Sequence, residues 1–120
     1  MKIAMRRVAN KGDKARERLI LDVKGATDVG EYALLQTGAR DGEVTIGVHH
    51  TYWFPNKVVA AGDLVVLYTK DGQDKETVME DGRKTHFFYW GLPSPIWLEP
   101  ERAAVLLNAP TWTTLRANSK

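Results

Sequence analysis

The run Arg-Leu-Ile-Leu-Asp-Val-Lys at residues 18–24 decides the fold class of this chain. The apolar side chains of Leu19, Leu21 and Val23 fall on one side of the run and its charged side chains on the other, with only Ile20 out of phase. Successive side chains of a β-strand point to opposite faces, so a period of two indicates a strand with one buried face. The run therefore predicts a half-buried β-strand.

Runs of strand length recur along the chain, separated by turn signals such as Asp41-Gly42 and Gly62-Asp63. Many are rich in β-branched or aromatic residues, which favour strands. They lie at residues 32–36, 44–48, 51–54, 64–69, 86–90 and 103–107, with a further candidate at residues 3–8. Seven or eight short strands without helices between them predict an all-β fold, either a sandwich or a barrel.

Length and composition predict one globular domain over residues 1–120, because 43% of the residues are apolar and 27% are charged. The chain has no cysteine, which excludes disulfides, thiolate metal sites and cysteine nucleophiles. The sequence shows neither the apolar region of a signal peptide nor a run of membrane-spanning length. We therefore expect a cytoplasmic protein, or one assembled into a virion from the cytoplasm.

Positive charge is concentrated in the first 24 residues, which carry eight Lys and Arg against three Asp and Glu, whereas the remainder carries nine against twelve. Residues 1–12 are predicted either as a basic arm that reaches an anionic or acidic partner, or as an edge strand whose cations discourage edge-to-edge pairing. We expect the arm, with Lys2, Arg6 and Arg7 as its partner-binding residues. The polar segment at residues 70–85 is predicted as a hairpin that projects from the body.

Four sequence features occur in the order that they have in one known family. These are a Glu-x-x-x-Leu strand, a segment similar to Asp-Leu-Ser-Gly-Trp-x-Leu, an apolar hairpin entered through Phe-Pro, and a late Trp before a final apolar strand. They are carried by residues 17–21, residues 28–34, Phe54-Pro55 with residues 62–68, and Trp97 with residues 103–107. On these features, residues 17–107 resemble the lamin tail domain.

That resemblance implies an immunoglobulin-like β-sandwich of about seven or eight short strands with little or no helix. It also implies a non-catalytic module that docks onto proteins, nucleic acid or surfaces and is often appended to a larger protein. For a stand-alone chain, we expect an accessory role in a larger assembly, such as that of a decoration-type protein on a phage particle.

Residues that could perform catalysis or hold a metal are few and poorly spaced. His49 and His50 are neighbours, so on a strand they would point to opposite faces, and only one of them could join His86 in a metal site. The carboxylates of the polar segment lack the spacing of an EF-hand loop. Neither Ser94 nor Ser119 lies in a Gly-x-Ser-x-Gly elbow. We therefore expect no catalytic residue, no metal and no cofactor, and we do not expect an enzyme.

Two aromatic clusters, Tyr-Trp-Phe and Phe-Phe-Tyr-Trp, place rings on both faces of two predicted strands. In one interpretation Trp53, Phe88 and Trp90 fill the core while the phenols of Tyr52 and Tyr89 reach water at its rim. In the other, the aromatic residues form a docking patch. Tyr52 and Tyr89 are therefore added to the candidate partner-binding residues.

Together these observations predict a structural or interaction protein that contacts neighbouring subunits, with a homo-oligomer as one form of that contact. The alternative is a nucleic-acid-binding module that uses the basic N-terminal segment. The basic residues are mostly outside the aromatic clusters, which argues against nucleic acid.

Overall fold

The fold is all-β, as the sequence predicts, in a computed structural model that describes residues 1–118. One three-residue 3-10 turn lies at Val29–Glu31, and no helix of the described residues is long and apolar enough to cross a membrane. The strands are β1 (Ile3–Ala9), β2 (Arg18–Val23), β3 (Thr27–Asp28), β4 (Tyr32–Arg40), β5 (Glu43–Trp53), β6 (Val58–Val59), β7 (Leu64–Tyr68), β8 (Lys75–Val78), β9 (Lys84–Tyr89) and β10 (Arg102–Asn108).

These strands form three sheets. The largest has the order β1-β2-β7-β9-β8, the second has the order β10-β4-β5, and β3 pairs with β6 in a two-stranded sheet. Every pair is antiparallel except β7 with β9, which run parallel. β7 lies at the centre of the five-stranded sheet, and its residues Val65, Val66 and Leu67 are all buried. The apolar run at residues 64–68 was predicted to be covered on both sides, and this is confirmed.

Both larger sheets contribute side chains to one hydrophobic core. The face of residues 18–24 that was predicted to be buried does enter it, and Ile20 on the opposite face is buried as well. The core side chains include Leu19, Leu21, Val65, Leu67 and Phe88 from the five-stranded sheet and Tyr32, Leu34 and Leu106 from the three-stranded sheet. Apolar burial on this scale is the main stabilising contribution to the fold.

The N-terminal segment is an edge strand. β1 pairs with β2 from Ile3 to Ala9, and the side chains of Ile3 and Ala9 are buried. Of the two alternatives for residues 1–12, the edge strand is therefore the one observed. The segment at residues 70–85 does form a hairpin, with β8 paired to β9 as the outermost strand of the same sheet.

The strands predicted at residues 44–48 and 51–54 are one continuous strand, β5, of 11 residues. Separating them was wrong, because the pairing of β5 with β4 runs through His49 and His50 by means of a β-bulge. Gln36 is opposite His50 and Thr37 is opposite Val48, so β5 has one extra residue at this point. A bulge bends a strand and increases its local twist without ending it.

The carboxylate of Glu17 joins three separate segments of the chain. It is fully buried and accepts hydrogen bonds from the backbone N–H groups of Gly12 (3.0 Å), Ile96 (2.9 Å) and Trp97 (3.0 Å) and from the hydroxyl of Thr69 (2.6 Å). A buried carboxylate is costly unless its oxygens are fully hydrogen-bonded, and here each oxygen accepts two bonds. Glu17 thus fixes the β1–β2 loop, the end of β7 and the segment before β10 to one another.

Deleting residues 1–9 is expected to lower the free energy of unfolding by several kcal/mol. Burial of one large aliphatic side chain contributes about 1.5–3 kcal/mol, and the deletion also leaves the edge of β2 unpaired. Urea denaturation measures the change. Arg7→Gln, at an exposed position of the same strand, is the control and should change stability by less than about 0.5 kcal/mol. An unchanged midpoint for the truncated chain would show that β1 is not part of the folding unit.

Glu17→Gln is expected to cost about 2–3 kcal/mol in urea denaturation. The amide keeps the size of the side chain but has one acceptor oxygen, so at least one buried donor loses its partner. The control is Glu101→Gln, because Glu101 is exposed. Equal stabilities for the two variants would mean that the four hydrogen bonds do not hold the segments together.

Candidate docking surface

One face of the three-stranded sheet points away from the core. Directly opposed residues of an antiparallel pair lie on the same side of the sheet. Leu34 is buried in the core, so Tyr52 opposite it points inward. Ala33, the neighbour of Leu34, therefore points outward, and so do Trp53 on β5 and Leu107 on β10, which are both opposite Ala33.

β5 contributes a row of β-branched side chains to this outward side. Val48 is opposite the outward-pointing Thr37, and Val44 and Ile46 are in phase with it. The exposed fractions are 57% for Val44, 102% for Ile46 and 49% for Val48, so each side chain of the row is about half exposed or more. The in-phase strand was predicted correctly, but the sequence did not show that its apolar side is exposed.

The row continues into a pair of tryptophans. The Trp53 indole N–H donates to the carbonyl of Gly30 (2.8 Å), and its ring meets that of Trp112 edge to face with centroids 4.9 Å apart. Both rings are half-exposed. We use the name outer apolar face for the side chains of Val44, Ile46, Val48, Trp53, Leu107 and Trp112.

The molecule exposes more surface than a compact chain of its size. It exposes 7749 Å², whereas a compact monomer of its 13.5 kDa mass exposes about 6,500 Å². Part of the difference comes from residues 107–118, which are all exposed. An apolar patch of several hundred Å² on a soluble protein is typical of a binding surface.

The predicted basic residues lie at the β1 edge of the five-stranded sheet. Lys2 and Arg7 are exposed, and Arg6 forms an ion pair with Asp22 on β2. This hydrogen-bonded pair raises the pKa of Arg6 and lowers that of Asp22. The three cations share the β1 edge, but Arg6 already has a partner within the chain.

Tyr52 and Tyr89 are on different surfaces. The Tyr52 ring lies 5.0 Å from that of Phe54 and 5.9 Å from that of Trp90, and burial raises its pKa to about 12. Tyr89 is on β9, and its ring stacks on that of Tyr68 at 5.3 Å and 8°. The structure therefore does not bring the five predicted partner-binding residues together.

The core interpretation of the aromatic clusters is correct for Phe88 but wrong for Trp53. Phe88 is buried, and Trp90 packs against the core while remaining partly exposed. Trp53 follows Tyr52 on the strand, and since Tyr52 points inward, Trp53 must point outward.

The two neighbouring histidines line one cleft, which the sequence analysis did not expect. His50 is opposite the inward-pointing Gln36, and the β-bulge brings His49 to the same side. The cleft has a volume of about 360 Å³, and Ser94, Glu99 and Arg102 also line it. No group of three or more metal-ligating side chains occurs among residues 1–118. Ser119 lies outside the described residues.

A buried Asp–His pair is the feature that sequence reasoning missed. His86 Nε2 lies 2.8 Å from the Oδ2 of Asp63. The same oxygen accepts a hydrogen bond from the backbone N–H of Ala60, and Oδ1 accepts one from the backbone N–H of Lys84. Burial raises the pKa of Asp63, but these three hydrogen bonds outweigh it and the pKa is lowered. The pair ties β9 to the turn before β7, and the turn signal Gly62-Asp63 gave no indication of this partner.

Comparison of the sequence with known protein families and with characterised proteins gave no match. The proposal for function therefore depends on the surface of the molecule.

Proposed function

We propose that this chain is a non-catalytic assembly component that docks onto a neighbouring protein subunit through its outer apolar face. The observation that carries the proposal is the uncovered row of Val44, Ile46 and Val48 on an edge strand. Burying such side chains against a partner contributes about 25 cal/mol per Å² of apolar surface. Exposed β-branched side chains on an edge strand are otherwise a site of aggregation.

The fold that we propose for this module is the immunoglobulin-like sandwich of the lamin tail type. Two observations support it: the core is contributed by both larger sheets, and Glu17 of the Glu-x-x-x-Leu segment is a buried residue immediately before β2. An accessory protein of a phage particle, folded in the cytoplasm and then attached, is the kind of assembly part that such a module fits.

The buried ionisable residues Glu17, Asp63 and His86 are engaged in contacts that hold the fold together. Glu17 accepts four hydrogen bonds, and Asp63 with His86 joins β9 to the turn before β7. Both carboxylates have their hydrogen bonds made within the described chain, which favours a structural role for them. The exposure of Val44, Ile46 and Val48, by contrast, contributes nothing to the core, and this favours docking as the function.

A nucleic-acid-binding module is the second candidate, and one observation favours it. On the five-stranded sheet, Arg18 and Lys70 lie 5.7 and 5.0 Å from the Tyr68 ring centroid. Cations beside aromatic rings are typical of single-strand binding sites. The rings are already covered, however, because Tyr68 stacks on Tyr89, and a Cβ at Gly72 would lie only 2.5 Å from the ring of Tyr89. We therefore favour protein docking.

The test is sedimentation of the tagged chain produced in its native host. The wild-type chain should sediment with a large assembly, whereas Ile46→Lys and Leu107→Lys should remain in the light fractions, because a lysine in an apolar interface must be desolvated. The control is Val78→Lys, since Val78 is an equally exposed apolar residue on the edge of the other sheet.

Salt separates the two candidates. Docking through apolar contacts should survive an increase from 50 to 200 mM salt, whereas binding to nucleic acid should weaken steeply and linearly in log salt. A wild-type chain found only in the light fractions, or lysine variants that sediment as the wild type does, would contradict protein docking.

A further inference from the structure

We infer that β5 pairs edge to edge with β5 of a second copy of this chain, antiparallel and with the two-fold axis at Ile46. The inference rests on the proposed docking function, because it names the partner that covers the β5 part of the outer apolar face. The strand pairing would join the three-stranded sheets of the two copies into one continuous six-stranded sheet.

The free edge of β5 has its backbone groups available for such pairing. β4 and β5 are joined by the two-residue turn Asp41-Gly42, both in the left-handed region (φ 54° and 80°), and Arg40 is opposite Glu43. In a hairpin of this kind the closing pair is hydrogen-bonded, and hydrogen-bonded positions alternate along the strand. Val44, opposite Ala39, therefore directs its N–H and C=O groups away from β4. Between the pairs Ala39–Val44 and Thr37–Val48 the register shifts, and Ile46, within this interval, has no residue of β4 opposite it.

β5 differs from the other edge strands in lacking the side chains that oppose pairing. β1 carries Arg6 and Arg7, β8 carries Lys75 and β10 carries Arg102. Lys, Arg and Pro on an edge oppose the approach of another strand. None of these residue types occurs in Glu43–Trp53, so among the four edges of the two larger sheets in the described chain, β5 is the one suited to a partner strand.

The sequence of β5 is complementary to itself in one register. With Ile46 opposite Ile46 of the second copy, Val44 is opposite Val48 and Glu43 is opposite His49. The β-branched side chains then pair on the outward side, and the carboxylate meets an imidazole on the inward side. A shift by one residue would place Val44, Ile46 and Val48 of one copy opposite the inward-pointing residues of the other. A shift by two residues would place Glu43 opposite Gly47 or Thr51, and would lose its pairing with His49.

Pairing at this edge also has a consequence for docking. Because the copies are related by a two-fold axis, the outer apolar faces of both would lie side by side on one side of the joined sheet. Leu107, on the far edge at β10, is outside the strand pair. The dimer would therefore present a doubled apolar surface to the assembly, and substitutions at Leu107 should affect docking without affecting the dimer.

The experiment is sedimentation equilibrium of the purified chain between about 1 and 500 µM. The wild-type chain should shift from monomer to dimer with concentration. Ile46→Pro should weaken dimerisation at least tenfold, because proline removes the N–H that would donate to the strand of the second copy. Ile46→Val is the matched control and should dimerise as the wild type does, and Leu107→Lys should as well. Thermal melting checks that each variant is folded.

A charge exchange provides a second test that does not depend on the proline variant. Glu43→Lys should weaken the dimer at least threefold through the opposing His49, and adding His49→Glu should restore it, since the two positions meet only across the two-fold axis. A wild-type chain that is monomeric at 500 µM, or an exchange that fails to restore the dimer, would overturn the pairing.

The two proposals fail separately. A monomeric chain that still sediments with a host assembly overturns the strand pairing and leaves the docking function intact. A dimer that joins no assembly in the host contradicts the docking function and leaves the pairing intact.

Discussion

The four hydrogen bonds of the buried Glu17 carboxylate are the constraint on which the rest of the structure depends. They come from Gly12, Thr69, Ile96 and Trp97, which belong to three segments distant in sequence. Leaving this carboxylate partly satisfied would cost several kcal/mol, so the segments are held as a unit. Trp97 is thereby fixed in the core, and the chain enters β10 from a defined position. β10 pairs with β4, the central strand of the three-stranded sheet, so the interaction also helps to place that sheet against the core.

The two larger sheets differ in how far the side chains facing away from the core are exposed. On the five-stranded sheet, the side opposite the core buries Ile20 and Val66, and its aromatic residues are stacked on one another. On the three-stranded sheet, the corresponding side leaves Val44, Ile46 and Val48 uncovered. Since both sheets share one core, the difference does not arise from a need for stability. It is expected if the three-stranded sheet is the one that meets a partner.

Local periodicity predicted those parts of the fold that depend on neighbours in sequence. The alternation at residues 18–24 and the apolar run at residues 64–68 both became strands of the five-stranded sheet with the expected burial. The all-β class followed from the same patterns. Periodicity gives the phase of a strand but not which of its sides is covered, and for this reason the exposure of Val44, Ile46 and Val48 could not be predicted.

The rest of the candidate site depends on pairing between distant segments. The β-bulge at His49 is set by the register of β5 against β4, so the sequence alone suggested that the two histidines point apart. Glu17 was recognised only as part of a family pattern, because its hydrogen-bond donors are up to 80 residues away. The same holds for Asp63 and His86, which are 23 residues apart and meet across the sheet. A charged residue within an apolar pattern indicates a special role, but its partners have to be seen in the fold.

The account depends most on whether the free edge of β5 is covered when the protein works. Amide hydrogen exchange in the purified chain, measured as a function of protein concentration, tests this directly. The account predicts that the amides of Val44, Ile46 and Val48 exchange rapidly in dilute solution and at least tenfold more slowly where the dimer is populated, while the amides of the β8 edge are unaffected. Exchange rates for these three amides that do not change with concentration would contradict it.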